Sequence, residues 1–328
     1  MPAVIAMQYP ISDAAAIELA HTFYKALTDG YPVDAALGEA RKAVAAQGNR
    51  YEWATPVLFS RSPDNQLFGA PIATPAPLIL QQAVIERQEI EPETVLIPAG
   101  DFMMGAAGAP PEWRRHRLHL ASYRIGKAPV TNAEYQHFVA VYPEHRPQAS
   151  GWRYSTPPSA KLDHPVTGIS WHAAVAYCDW LSQQTNRIYR LPSEAEWEKA
   201  ARGDQDGRAY PWGETLRADF CNMQSPDTTS VYRYDQGISP FGCYDMVGNV
   251  REWTNTIWGD NSIRPQFIYP YRLDKCEEKA PRSSVYRVHR GGAFDDPPEQ
   301  LGCSARGFYS PDAKLTNVGL RVVLQIEG

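Results

Sequence analysis

No apolar run in this chain approaches the roughly 20 residues that a membrane-spanning helix needs. No basic-then-apolar leader opens it either. From these absences we expect a soluble, cytoplasmic protein with no membrane partner. An excess of basic charge is also missing. The formal net charge is −5, which argues against a nucleic-acid partner, because such a protein needs a basic face. Cysteine is scarce and badly placed for cross-linking. Cys178, Cys221, Cys243, Cys276 and Cys303 are odd in number and none lies in a C-x-x-C pair, which excludes a disulfide framework and a zinc knuckle.

What is present points to a large folded core. At 328 residues the chain is long enough for two domains. Hydrophobic residues make up 43% and charged residues 21%, so disorder is not the expectation. Nine Trp and 18 Tyr accompany 28 Pro and 23 Gly, which suggests a loop-rich fold stapled by buried rings.

The first 69 residues read as strand, helix, helix, strand. Pro2 to Gln8 is an apolar run without a polar face, as in a buried strand. Ser12 or Asp13 caps a helix ending near Gly30, with Ile17, Ala20, Phe23, Tyr24 and Leu27 as its apolar face. Val33 to Ala46 reads as a second helix and Thr55 to Ser60 as another strand. Residues 70–93, rich in Pro and then in Ile, Gln and Glu, read as a linker.

From Thr94 the texture changes. Two short strands flank Pro98 and Gly100, and Leu118 to Ile125 alternates as one strand. Thr131 and Glu134, then Ser193 and Glu196, stand at capping-box spacing and open two helices. Between them a helix capped by Ser170 carries Trp171, Ala174, Val175, Cys178 and Leu181 on one face, where Cys178 is a small core residue. Beyond Gly203 no long helical period occurs, and Asn317 to Leu324 reads as a final strand.

The stretch from Gly242 to Thr254 stands apart. Asp245 and Glu252 are seven residues apart around a Gly248-Asn249 turn. On residue chemistry alone this fits a tight turn with Glu252 in solvent. The second reading is a loop offering side-chain and carbonyl oxygens to a hard cation.

Two family resemblances rest on these motifs. Ala3 to Ser12, the helix ending in Phe23-Tyr24-Lys25-Ala26-Leu27, and Trp53 to Phe59 resemble the C-terminal end of CHAT domains, which are caspase-like cysteine peptidases. The family's catalytic His and Cys lie upstream of this part, and no Cys precedes Cys178, so no Cys–His dyad forms within the segment. The resemblance implies an upstream caspase-like peptidase portion as a partner.

The second resemblance spans residues 94–325. Leu96 to Gly100, Thr131-Asn132, Pro165 to Trp171, Arg190 to Glu198, Tyr210 to Gly213, Asp245 to Thr254, Arg290-Gly291-Gly292 and Gly319-Leu320-Arg321 stand in the order of the formylglycine-generating-enzyme-like, or sulfatase-modifying-factor, family. It implies an α+β fold with an irregular C-type-lectin-like domain at residues 94–328, after a small N-terminal α/β caspase-like fragment at 1–69. It also implies structural calcium, with Asp245 and Glu252 giving side-chain oxygens and Gly248 and Val250 giving carbonyls. A second calcium site of the family falls at Asn222 to Val231, where this loop is shorter.

The family's oxidase chemistry does not carry over. It needs two thiolates after the Gly-Gly motif to bind copper. Here Asp296 takes the place of the first and no cysteine stands at the second, so no copper is expected. The iron-dependent branch uses histidines on an attached helical domain, and the chain has no H-x-x-x-H helix.

Residues 287–324 resemble, in addition, the variable region of diversity-generating-retroelement proteins. Arg290-Gly291-Gly292, Pro298, Leu301, Arg306, Pro311-Asp312, Gly319 and Arg321 form the framework. Asp295, Asp296, Gly302, Ser304, Gly307, Phe308, Tyr309, Ser310, Lys314 and Thr316 lie between its positions as candidate ligand-binding residues. Three functional readings stay open: a non-catalytic module that binds a protein or small molecule, an oxidoreductase, and a structural domain stiffened by calcium.

Overall fold

The computed structural model describes residues 3–7, 13–28, 33–46, 56–60, 88–110, 113–147, 150–272 and 285–326. It divides into two units, Met1–Ile85 and Glu86–Gly328. In the smaller one, strand β1 (Ala3–Met7) pairs antiparallel with β2 (Pro56–Ser60), and helices α1 (Asp13–Thr28) and α2 (Val33–Ala46) lie between them in sequence. The elements fall where the sequence places them, but the buried face of α1 differs. Leu19, Phe23 and Ala26 meet Leu37, Ala40 and Val44 of α2, while Ile17 and Tyr24 are 70% and 67% exposed. Both stripes satisfy helical spacing, and the one that can pack on the alanine-rich partner is buried.

The larger unit begins earlier than the sequence suggests. Glu91 is buried and accepts hydrogen bonds from Arg187 Nη1 at 2.8 Å and Tyr189 Oη at 2.8 Å. Residues 88–93 therefore belong to this unit and not to a linker, whose remaining residues 70–87 lie outside the described ones.

In order, the unit contains β3 (Thr94–Ile97), β4 (Gly100–Met104), β5 (His116–Leu120), β6 (Tyr123–Gly126), α3 (Asn132–Val141), α4 (Trp171–Thr185), β7 (Tyr189–Arg190) and α5 (Glu194–Arg202). After these come β8 (Arg251–Gly259), β9 (Tyr286–Arg290), β10 (Arg306–Tyr309), β11 (Val318–Leu320) and β12 (Val323–Leu324). One four-stranded sheet has the order β3-β6-β12-β7, a second β10-β9-β8-β11, and β4 pairs with β5.

Two segments read as single strands are each broken. Leu118 to Ile125 divides at Ala121-Ser122 into β5 and β6, and Asn317 to Leu324 divides at Arg321-Val322 into β11 and β12. In each case the halves pair in different sheets. The second break is where the chain turns Arg321 inward. Its Nε and Nη2 donate to the two oxygens of Glu252 at 2.9 and 2.8 Å.

Both capping boxes form. Thr131 Oγ1 accepts the Glu134 N–H, and Ser193 Oγ accepts the Glu196 N–H. Ser170 caps α4, and Gly203 ends α5. The core joins Phe102, Met104, Ile125, Trp197, Met246 and Val323 across β4, β6, α5 and β12.

Helix α5 departs from every surface-helix pattern. Its sequence, EAEWEKAAR, has only a short apolar stripe, Trp197, Ala200 and Ala201, yet every residue in it is buried. The charges are absorbed one by one. Arg290 donates to Glu194 at 2.9 Å and also to Glu198, while Arg202 donates to Glu198 at 2.8 Å. Lys199 Nζ donates to the carbonyls of Pro98 and Gly100 at 2.6 and 3.0 Å.

Candidate functional site

Side chains alternate across a strand, and the sheet registers sort the site accordingly. Glu252 of β8 pairs with Arg290 of β9, which pairs with Arg306 of β10. On the opposite faces, Trp253, His289 and Gly307 stand in the next row. The first row serves the buried ion pairs beneath. Arg306 Nη2 donates to Glu194 at 2.9 Å, and Arg290 Nη2 also donates to the Cys303 carbonyl at 2.7 Å. The second row carries aromatic packing. The Tyr309 ring stacks on His289 at 4.6 Å between centroids and meets Trp253 edge-on. Phe308, on the face of Arg306, stacks on Trp258 at 4.3 Å.

Along β9 and β10 lies a cavity of about 580 Å³. Arg251, His289, Arg306, Phe308 and Tyr309 line it, and Trp113 contributes from a distant part of the chain. Its size is in the range of small-molecule sites, roughly 300–1,000 Å³. Gly292 enables the turn that carries the chain from β9 to the cavity wall. Its φ is +78°, and a Cβ there would collide with Leu301. The following turn brings Asp296 back under β8, where its carboxylate accepts from Arg251 Nη2 and from the Ala293 N–H at 2.8 Å. Burial raises the Asp296 carboxyl above its ordinary range, against the pull of the Ala293 N–H and Arg251. His289 is buried, and its Nδ1 has no hydrogen-bond partner among the described residues. Burial first, then the Arg251 and Arg290 guanidiniums, push its imidazole down to about 3, so it is neutral.

Asp296, Ser304, Gly307, Phe308 and Tyr309 of the expected ligand-binding residues line this cavity. The others do not. Asp295 is exposed and accepts from Asn317 Nδ2 at 2.9 Å. Gly302 is buried close to the Ala209 carbonyl. Ser310 and Lys314 are exposed. Thr316 lines a separate cavity of about 480 Å³ with Asp227 and Thr167. Three of the residues are also not the free surface groups they were expected to be. Asp296 is 4% exposed and ion-paired, and Phe308 and Tyr309 are half-buried and stacked. Arg251, His289, Arg306 and Trp113 were missed. The signal for the first two was the strand alternation on either side of Glu252 and Arg290; Trp113 carried none.

The expected metal residues fold as a genuine turn. Asp245, Gly248 and Asn249 have φ of +53°, +79° and +61°, and a Cβ on Gly248 would strike the Asn222 carbonyl. Glu252 is not in solvent. It is fully buried and takes Trp197 Nε1 at 2.7 Å as well as Arg321. Those donors fill Oε2, whereas among the described residues Oε1 accepts only from Arg321. Among the described residues no cation donates a hydrogen bond to Asp245. Its carboxylate accepts from Asn249 Nδ2 at 3.0 Å, and burial raises it to about 7. The Asn249 bond and Arg321 oppose that rise, and Glu252 adds to it. A buried carboxylate in this state suits an added cation. The donor set of Asp245, Glu252 Oε1 and the carbonyls of Gly248 and Val250 therefore fits calcium in kind. In the loop from Asn222 to Val231, Asp227 is committed to Lys161 at 2.6 Å, and Asn222 donates to Asn249 and to the Asp227 carbonyl.

Comparison with known proteins agrees with this architecture. Residues 1–61 match the CHAT domain, and residues 81–326 match the sulfatase-modifying factor enzyme 1-like domain. The chain is 32% identical over 272 residues to the serine/threonine-protein kinase Pkn1 of Chlamydia trachomatis, covering 76% of this chain and 42% of that protein. It is 30% identical over 289 residues to the inactive C-alpha-formylglycine-generating enzyme 2 of Mus musculus, covering 70% of this chain and 85% of that one. The chain thus spans less than half the length of the chlamydial relative. Among solved structures, Treponema denticola variable protein 1 superposes with a TM-score of 0.56 at 22% identity, over 71% of this chain and 95% of that one, which shows a shared fold. With its ordered motifs, its irregular C-type-lectin-like α+β domain and a family match over residues 81–326, the chain belongs to the sulfatase-modifying factor enzyme 1-like family.

Proposed function

We propose that the larger unit is a non-catalytic binding module, a sensor whose ligand, a protein segment or a small molecule, enters the cavity along β9 and β10. The observation that carries this reading is the cavity lining: a neutral imidazole, a guanidinium and half-buried aromatic rings, arranged as a recognition surface. The residue chemistry weighs against the oxidoreductase alternative. Where the oxidase branch has its first thiol this chain has Asp296, held by Arg251. Cys303 is fully buried and burial pushes its thiol up to about 12, so the thiolate that copper or nucleophilic chemistry needs is disfavoured. The inactive mouse relative is compatible with a family member that lacks oxidase activity. The variable-region resemblance supports a diversified lining at Ser304, Gly307, Phe308 and Tyr309, and the CHAT match supports pairing with a caspase-like effector.

Calcium at Asp245, with Glu252 Oε1 and the Gly248 and Val250 carbonyls, is the structural cofactor of this reading. It would offset the buried Asp245 charge and hold the turn that starts β8. The test of function is oxygen consumption by the copper-loaded and iron-loaded protein with a Cys-containing peptide. We expect none above the free-metal rate. Turnover that disappears in Cys303→Ser would replace the binding reading with the oxidase one.

A further inference from the structure

We propose that the cavity selects ligands bearing a carboxylate, with Arg251 as the recognising cation and the Tyr309 ring as the apolar surface beside it. This deepens the binding reading above and rests on it. The three arginines lining the cavity differ in what they have left to give. Arg290 Nη1 and Nη2 are engaged by Glu194, Glu198 and the carbonyls of Cys303 and Ser304, and its Nε is buried. Arg306 is held by Glu194. Arg251 donates to Asp296 through Nη2, and the described residues offer it no second acceptor. A guanidinium has five N–H donors in a planar fork, so most of its capacity at the cavity floor is unused.

The same contact shows what that fork accepts. Asp296 is a carboxylate of the chain itself, delivered to Arg251 by the turn after Gly292 and anchored by its other oxygen on the Ala293 N–H. It stands in for a ligand carboxylate that would share or displace it. Arg251 and Arg290 both disfavour a proton on His289, although Asp296 and Glu299 line the same cavity. A single available guanidinium suits a monoanion better than a phosphate dianion, which gains from several cations. Beside Arg251 the aromatic wall continues, with the guanidinium 5.9 Å from the centre of the Tyr309 ring. The ligand class is therefore a carboxylate joined to an apolar or flat group, whether a peptide C-terminus or an acidic side chain.

Three sets of fluorescent tripeptides separate these sources: random sequences with a free C-terminus, the same sequences amidated, and amidated sequences with a central Asp or Glu. Against the whole chain, acid-bearing peptides should bind roughly tenfold or more tighter than neutral amides, the scale of a hydrogen bond to a charged group. Arg251→Gln should erase that difference. Asp296→Asn should tighten the acid-bearing peptides several-fold and leave the neutral ones unchanged, a gain that misfolding cannot imitate. Equal binding of acids and amides, or no gain in Asp296→Asn, overturns the carboxylate proposal. If that equal binding is still lost in Phe308→Ala, the cavity remains the binding site. Binding indifferent to both Phe308→Ala and Tyr309→Ala removes the binding reading itself, and failure of all three sets to bind overturns both.

Discussion

Asp245 is the residue on which the sequence and the structure are most instructive together. Its seven-residue separation from Glu252 and the Gly248-Asn249 turn were legible, because left-handed backbone favours Gly and Asn. The difference between the two carboxylates was not. Glu252 acquires its cation from Arg321, 69 residues away in sequence, and no local pattern announces that pairing. Consequences for pH follow. The Asp245 carboxyl is raised to about 7 in the folded chain from an ordinary value near 3.8. The folded state therefore holds this proton more tightly than the unfolded state. Its stabilising effect is fully present below about pH 4 and is lost as pH rises through about 7. Neutral His289, held down to about 3, gives the opposite slope over the lower part of that range. The informative quantity is thus the difference between wild type and Asp245→Asn. In chelator, Asp245→Asn should flatten the loss of melting temperature between pH 4 and 7. In calcium it should lower the melting temperature at pH 7, because a ligand that binds only the folded state stabilises by mass action. A calcium-independent profile in the wild type would remove the metal from the account. Glu252→Gln should be costly in both conditions, since it leaves Arg321 buried without its counter-charge.

At the scale of elements, α5 and the two broken strands show where local reading succeeds and stops. Caps are local chemistry, so Ser193, Glu196 and Gly203 marked the ends of α5 correctly. What the helix packs against was invisible. Beyond the short apolar stripe of Trp197, Ala200 and Ala201, nothing local shows that its acids meet arginines from β9 and β10. Removing one partner of a buried ion pair costs about 3–5 kcal/mol, and Glu198→Gln should lose that much in denaturant unfolding. A loss within about 0.5 kcal/mol, as at an ordinary surface site, would mean the network carries no stability. In α1 the competition between two helical stripes gives a simpler contrast. Leu19→Ala should cost about 2–5 kcal/mol and Ile17→Ala almost nothing, read from amide exchange within α1. The breaks at Ala121-Ser122 and Arg321-Val322 carried no Gly or Pro to mark them. They exist because each segment serves two sheets.

For the whole molecule, ordered motifs made the family and its irregular α+β fold readable, since each motif sits at a turn, cap or buried pair that the fold needs. No helix among the described residues is long and apolar enough to cross a membrane. The recognition surface was only half legible. The candidate residues follow the chain from Asp295 to Thr316, but the fold divides them between the cavity, the exposed segment around Ser310 and Lys314, and a second cavity at Thr316. Which group meets a ligand depends on β9 and β10 pairing to bring His289 and Tyr309 onto one face, with Phe308 on the other beside Arg306. Amide hydrogen exchange with and without the tightest tripeptide measures this directly. The account predicts new protection in β9 and in residues 304–309, with residues 310–317 unchanged. Protection confined to residues 310–317, with β9 and β10 unaffected, would contradict it.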